Sequence, residues 1–494
     1  MACLHGWYAL FVPRGWLYRF ARTLFDQTIR LYYGRIEVTG RDRVPAADPV
    51  ILVANHPNSV ADACLVGTQI TGRRVNFIAK DTLTRAPVLG RLARSVGVVG
   101  VARPMEYGGD KDLARARNRL AVEACVPRLL AGEVIAIFGE GVSTDARHLH
   151  AVRRGAVRFG YAAEQAAGFR LGVAWVPVGI NYSAKQRFRS DVLIRIGAPL
   201  VLQDLHPDPA AGEVEVIERG TERLQRELGD LVVNIETEEL AGLIDRAADL
   251  LGSPDAPAEA RVERQQRVAR ALQYVNHTDP RRVADLEATF ARHDRRLLDA
   301  GLTDEVVRHR HPTLALWLSL RGLLAHGTLL LLNRYGWINS LLPRWTSYLL
   351  GGLARRIEES GKGDGRARSP LVQQVAWSTY GGWLGAAIAF PAQVALVFLW
   401  ISVGRGPTTG AVVAAIYALT LIPSWRMYVQ RRDLFQKHLA RTRETLRFLR
   451  NARGALRLQA DRRRISRAVR ALLAEHEAAG AEAARLEGRE TPGT

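Results

Sequence analysis

His56 and Asp62, six positions apart, are the residues of this 494-residue chain best suited to chemistry. A carboxylate within reach of one imidazole nitrogen fixes the tautomer. It also supports the charge that develops when the other nitrogen takes a proton. Such a pair is a general base. The same two residues also fit a plainer role, a strand-end histidine followed by an aspartate turned to water. Two more polar groups stand in comparable places. Arg103 ends the apolar run Gly97-Val98-Val99-Gly100-Val101-Ala102, and Pro104 then stops any strand ladder. Beside a His–Asp pair its guanidinium is a candidate phosphate clamp, because it can grip two phosphate oxygens at once. Glu140 lies between Gly139 and Gly141, directly after the apolar run 134–138. Flanking glycines let backbone approach a ligand and leave amides free to donate. A tight turn with an exposed carboxylate would read the same way.

Each of these groups follows an apolar run, and that is what must position it. Residues 50–54 carry no charge and end at Asn55-His56. Pro57-Asn58-Ser59 then punctuates the chain, and the small-residue segment after it reads as a helix with Asp62 just inside. Strand-like runs are expected at 35–39, 50–55, 75–79, 96–102, 133–138, 173–181 and 192–196. Helical patterns lie between them, clearest at 112–130 and 152–167. Alternation of this kind argues an α/β domain with a largely buried sheet. In open α/β sheets ligands bind at the C-terminal edge of the strands. A fourth run, Val176-Pro177-Val178-Gly179-Ile180-Asn181-Tyr182, suits the wall of an apolar channel or simple strand packing.

Taken in order, these stretches resemble the glycerolipid acyltransferase family, which includes the lysophosphatidate and glycerol-3-phosphate acyltransferases. The family's pattern is His and Asp a few residues apart, a Gly…Arg strand, Phe-Pro-Glu-Gly and Val-Pro-Val. Here it reads His56…Asp62, Gly97…Arg103, Phe138-Gly139-Glu140-Gly141 and Val176-Pro177-Val178-Gly179. Ile78-Ala79-Lys80-Asp81-Thr82-Leu83 is similar to the family's lysine-bearing strand end. The resemblance spans roughly residues 35–200. Five residues separate His56 from Asp62 where four are commoner, as in the branch similar to eukaryotic-type glycerol-3-phosphate acyltransferases. Gly139 replaces the motif's proline, and Val142-Ser143 stand where Thr-Arg often follows. Arg147 and Arg153 are the cations placed to compensate.

The resemblance implies a membrane-bound O-acyltransferase of phospholipid biosynthesis. A mixed sheet flanked by helices would be followed by a helical region with a transmembrane hairpin. The acyl donor would be a thioester of coenzyme A or acyl carrier protein. The acceptor would be glycerol 3-phosphate or 1-acylglycerol 3-phosphate, with no further cofactor and no metal. His56 would remove the hydroxyl proton and Asp62 would orient it. Arg103 would hold the phosphate, and Glu140 and Gly141 would bind the acceptor. A carboxylate near phosphate repels it, so Glu140 suits an acceptor hydroxyl or the positioning of Arg103 better. Lys80 would add positive potential near the phosphate or oxyanion. The alternatives are another lysolipid acceptor or a non-catalytic membrane scaffold on the same fold.

A chain of this length needs two or more folding units. With 69 Lys/Arg against 49 Asp/Glu, the formal charge is +20, so the partner should be anionic. Residues 426–470 alone hold fifteen Lys/Arg and three Asp/Glu. Anionic membrane lipid fits them, whereas nucleic acid is not expected, because no recognition motif accompanies the charge. Cys3, Cys64 and Cys125 show no metal spacing or disulfide framework, which fits a reducing compartment, and no secretory signal is apparent. Aromatic residues interleaved with arginine make residues 1–34 interfacial helices. The acyltransferase domain is expected over 35–205 and a helical appendage over 206–310. Interfacial or re-entrant helices follow at 311–350, a transmembrane hairpin at 370–426 and a basic helical tail at 427–494. Residues 369–404 and 406–425 carry no charge, and a span needs about 20 apolar residues. The flanking arginines place the active site and both termini in the cytoplasm.

Overall fold

The computed structural model describes residues 14–85, 89–102, 109–141, 143, 147–184, 189–205, 212–253, 256–308, 312–359 and 370–487. The chain divides into two compact units, Met1–Asn234 and Ile235–Thr494.

The first unit is a seven-stranded sheet with helices on both faces. Its strands are β1 (Ile36–Thr39), β2 (Val50–Ala54), β3 (Val75–Lys80), β4 (Val99–Val101), β5 (Val134–Phe138), β6 (Ala174–Tyr182) and β7 (Val192–Ile196), in the order β1-β7-β6-β2-β5-β3-β4. All pairings are parallel except β6 with β7, so the sheet is mixed. Every residue of β2 is buried. Its alternate side chains feed two cores. Ile51 and Val53 join Ile135, Ile137 and Trp175 under α5 (Lys111–Leu130), α6 (Gly155–Ala166) and α8 (Glu213–Leu231). Val50, Leu52 and Ala54 join Val134, Ala136 and Val176 under α1 (Arg14–Tyr32) and α2 (Val60–Gln69). A strand covered on both faces needs apolar residues at every position, which is why these runs carry no charge. Short helices α3 (Asp81–Arg85), α4 (Leu89–Ser95) and α7 (Leu202–Leu205) complete the unit.

All seven expected strands are present. β4 is shorter than expected because Gly97, at φ +97°, leaves extended geometry before Val99. Run 176–182 is no channel wall, because it lies in the sheet interior, paired on both sides. Pro177 is tolerated there because the β6–β7 ladder starts only at Val178. Helix α1, part of the stretch expected to be interfacial, packs on the sheet unit with one face. Arg22 donates to the carbonyls of Thr68, Thr71 and Gly72 at the end of α2, and Ile29 and Tyr33 enter the core. Its other face leaves Phe20 and Leu24 exposed. Helix α8, expected in an appendage, packs on β6 and α6 and belongs to the sheet unit.

The second unit is helical. It runs through α9 (Glu238–Leu251), α10 (Ala258–Thr278), α11 (Pro280–Ala300), α12 (Asp304–Arg308), α13 (Pro312–Leu332), α14 (Arg334–Asn339), α15 (Leu341–Glu359), α16 (Pro370–Arg405), α17 (Pro407–Arg450) and α18 (Ala452–Glu487). Among the described residues, three of its stretches are long and apolar enough to cross a membrane: Pro312–Leu332, Ile388–Arg405 and part of Pro407–Arg450. Helix α17 continues unbroken from its apolar start into the basic segment, so no boundary falls at 426. Helix α13 runs antiparallel to it, with Gly322 against His438, Gly327 against Phe435 and Asn333 bonded to Ser424. It therefore lies beside the basic part of α17, not beside residues 407–423. The acidic end of α18 is docked. Glu475 and Glu477 pair with Arg282 and Arg267, and Arg462 pairs with Asp304.

Gly160 on α6 tests the packing under β2. A Cβ there would overlap the Trp175 ring and lie 2.9 Å from Ile51 Cδ1. Gly160→Ala should cost about 1–3 kcal/mol, since overpacking outweighs the gain in helix propensity. Urea unfolding of the full chain would show it, and an unchanged midpoint would mean that α6 does not sit as described.

Candidate active site

The parallel strands β6, β2, β5, β3 and β4 end along one edge of the sheet, and the candidate residues follow those ends. His56 comes two residues after β2. The first link is Asn55, whose side-chain amide continues the ladder where the β2 backbone leaves it. Asn55 Nδ2 donates to Ile180 O at 3.1 Å, and Asn55 Oδ1 accepts from Ile180 N at 2.7 Å. The strand end is thereby fixed to β6 just before the chain turns. On the other side, Gly139 N donates to Ala54 O at 2.8 Å, fixing the end of β5.

The chain then turns through Pro57-Asn58-Ser59 into α2. Ser59 adopts φ 49° and ψ −120°, a left-handed region that side chains avoid. Its amide donates to Ser143 Oγ at 3.0 Å. This turn holds the additional residue of the six-position spacing and returns Asp62, in the first turn of α2, to the histidine. His56 Nδ1 lies 2.9 Å from Asp62 Oδ2, and the Asn58 amide donates to the same oxygen at 2.7 Å. Tyr182 OH donates to Asp62 Oδ1 at 2.5 Å. Asp62 has no exposed surface, whereas the His56 side chain keeps 18% of its own. The carboxylate accepts at Nδ1, so Nδ1 carries the proton and Nε2 is left to act as base. The imidazole stacks on Phe138 at 3.9 Å between centroids and 13° between planes, which fixes its tilt. An aspartate turned to water is therefore excluded.

Glu140 does something the sequence did not indicate. Its Oε1 accepts the His56 amide at 2.7 Å, and its Oε2 accepts the His150 amide at 3.1 Å. The carboxylate is buried and braces the backbone that carries the base. Burial raises its pKa, while the two amides and the nearby His150 and His56 oppose the rise. Each of its oxygens thus holds one main-chain amide. Gly141, at φ +66°, completes the turn, and the Arg153 side chain lies along it. Of the two cations expected to compensate for the missing arginine, Arg153 is placed there.

Lys80 ends β3, two strands from β2 on the same edge, about 10 Å away by sheet spacing. Arg103 lies outside the described residues. Nothing in the motif spacing marks Tyr33, Asn58 or Tyr182 as part of the site. Asn58 Nδ2 donates to Tyr33 OH at 3.1 Å, and the Tyr33 and Tyr182 rings stand 5.6 Å apart. Burial and the Asp62 charge push both phenols well above the usual range, so both stay protonated. The same causes push the Cys64 thiol up to about 12, which keeps it from being a nucleophile. Among the described residues no group of three or more His, Cys, Asp or Glu is placed to hold a metal.

The raised pKa of Glu140 sets a sign for stability. Folding favours its neutral form, so its contribution is full below the ordinary value of 4.5 and declines as pH rises through the window just above. Glu140→Gln cannot accept both amides and should lose about 1–3 kcal/mol. Its deficit against the parent should narrow as pH rises through that window. Urea unfolding at several pH values measures it, and a widening deficit would contradict the burial argument.

Comparison with known proteins follows the same lines. Residues 35–181 match the model of the acyltransferase family. No curated protein matches the chain. Among solved structures, the 1-acyl-sn-glycerophosphate (LPA) acyltransferase PlsC from Thermotoga maritima is similar, at 19% identity and a TM-score of 0.32. That match covers 44% of this chain and 80% of that one. Residues 35–181 are an acyltransferase-family domain, and the buried Asp62 with His56 against it stands at the sheet edge inside it.

Proposed function

We propose that this domain transfers an acyl group from a thioester of coenzyme A or acyl carrier protein to a hydroxyl of glycerol 3-phosphate or 1-acylglycerol 3-phosphate. The observation that carries the reading is the 2.9 Å contact between His56 Nδ1 and a fully buried Asp62 that accepts from two further donors. His56 Nε2 takes the acceptor's hydroxyl proton as its oxygen attacks the thioester carbonyl. The tetrahedral intermediate expels a thiolate, which receives that proton from the imidazolium. Lys80 supplies positive potential along the same edge, and Arg103 grips the phosphate. Acyl transfer requires nothing more of the protein than a base, an anion site and a dry edge.

The helical unit supports a membrane setting for this chemistry. Helices α16 and α17 meet at Gly406, between two apolar stretches long enough to cross. Crossing from residue 407 to residue 426 uses about 19 residues, or roughly 29 Å, which is the thickness of the bilayer core. Arg426, Arg431 and Arg432 then stand at the cytoplasmic boundary and Arg405 at the opposite turn. Helix α13, level with that basic part, lies with its exposed Leu and Trp side chains at the interface.

His56→Ala should lower turnover by about 10²–10⁴-fold while leaving the unfolding midpoint in place. Purified full-length protein, given acyl-CoA and each acceptor in turn, provides the assay. Turnover retained by that variant would remove His56 as the base, and activity only on a different lysolipid would replace the acceptor. For the hairpin, Gly404→Cys in membrane vesicles should react with an impermeant maleimide from the side opposite the cytoplasm. Lys437→Cys should react from the cytoplasmic side. Labelling of both from one side would rule out the crossing.

A further inference from the structure

The carboxylate of Asp62 faces three donors, and only one of them serves the oxygen turned away from His56. Tyr182 OH donates to Oδ1 at 2.5 Å, while His56 Nδ1 and the Asn58 amide share Oδ2. An aspartate carboxyl torsion is broad, so a carboxylate held at one oxygen can rotate and exchange its two oxygens. Water from bulk does not hold Oδ1, because Asp62 has no exposed surface. The tyrosine itself is anchored. It ends β6 in register with Val192 of β7. The neighbouring Asn181 ties that end to Leu231 O and Val233 N.

Resting on the His56 reading above, we infer that Tyr182 is a positioning residue for acyl transfer, acting on the base through Asp62. It has two effects. It fixes the carboxylate plane so that Oδ2 stays on Nδ1. It also withdraws negative charge from the carboxylate by a short, charge-assisted bond, which limits how strongly Asp62 favours the imidazolium. Its hydroxyl is turned to Asp62 and not to any acceptor. The other titratable groups around Asp62 are His56, Tyr33 and Cys64, with Glu140 reaching the site through the His56 amide. Tyr33 OH accepts from Asn58 and is hydrogen-bonded to the Tyr182 hydroxyl, so it backs both groups that meet the carboxylate, while the donor at Oδ1 is Tyr182.

Tyr182→Phe keeps the ring and removes the donor. We expect kcat to fall roughly tenfold, the loss of one hydrogen bond to a charged group, with KM for donor and acceptor within about twofold. Freed of its partner, the carboxylate favours the imidazolium more, so the acid limb of the pH–rate profile should move to higher pH. A purely structural tyrosine would leave that limb in place. In an Asp62→Asn background the same substitution should have no further effect on kcat. Incorporating 3-fluorotyrosine at position 182 strengthens the donor and should move the acid limb to lower pH, which keeps the inference testable if the phenylalanine variant folds poorly. Unchanged kcat and an unmoved limb in Tyr182→Phe, with His56→Ala inactive, would overturn the role of Tyr182 alone. Turnover by His56→Ala would overturn the underlying reading instead.

Discussion

A buried negative charge is the constraint from which the rest of this domain follows. An ionised carboxylate without partners in a protein interior costs several kcal/mol, so Asp62 can persist only if every lone pair that matters is met. The donors come from three places: the imidazole after β2, the main chain of the turn and the last residue of β6. They converge because β2 and β6 are parallel neighbours and β6 runs on past Val178, the partner of Ala54, to Tyr182, alongside the turn that follows β2. β5, on the other flank of β2, contributes the Phe138 ring under the imidazole and the Glu140 brace behind it. Three adjacent central strands thus hold one imidazole from its ring face, its proton and its backbone.

The strands were legible because burial on both sheet faces leaves no place for charge, and glycine or proline marks where each run stops. His56, Asp62 and Glu140 were legible for a related reason. A polar residue directly after a charge-free run must sit at the sheet edge. What a carboxylate does at that edge is not written in spacing. Glu140 stands where the pattern put it, yet it turns inward to two main-chain amides. Tyr182 was read as the end of an apolar strand, which it is. Its partner lies 120 residues away, and nothing in a tyrosine at a strand end distinguishes a donor to a buried aspartate from a ring that merely packs. Asn55 was taken as the last strand residue. The backbone ladder ends one residue earlier, and the side-chain amide supplies the bonds that the pattern attributed to backbone.

The helical unit separates composition from pairing in the same way. Its apolar stretches show plainly as charge-free runs. The basic surplus also shows, but a tally cannot reveal how much is neutralised by distant acids. Arg441 pairs with Glu305, Arg462 with Asp304 and Arg296 with Asp461, across more than a hundred residues of chain each time. Helices α13 to α15 hold Arg321, Arg334, Arg344, Arg355 and Arg356 and no Asp or Glu before Glu358.

The site's own chemistry argues for direct transfer over a covalent acyl-enzyme. An enzyme nucleophile would need a hydroxyl or thiol at the free imidazole nitrogen. Cys64 is the nearest thiol in sequence, two residues past Asp62, but burial, reinforced by the Asp62 charge, holds that thiol protonated. Ser143 spends its oxygen on the amide of Ser59, where it supports a strained turn. A carboxylate buried deeply enough to orient a base raises the pKa of every acid packed beside it, so the same burial that makes His56 a base disarms its neighbours as nucleophiles. In the proposed reaction the attacking hydroxyl is then the acceptor's, and its proton goes to the Nε2 that faces away from Asp62.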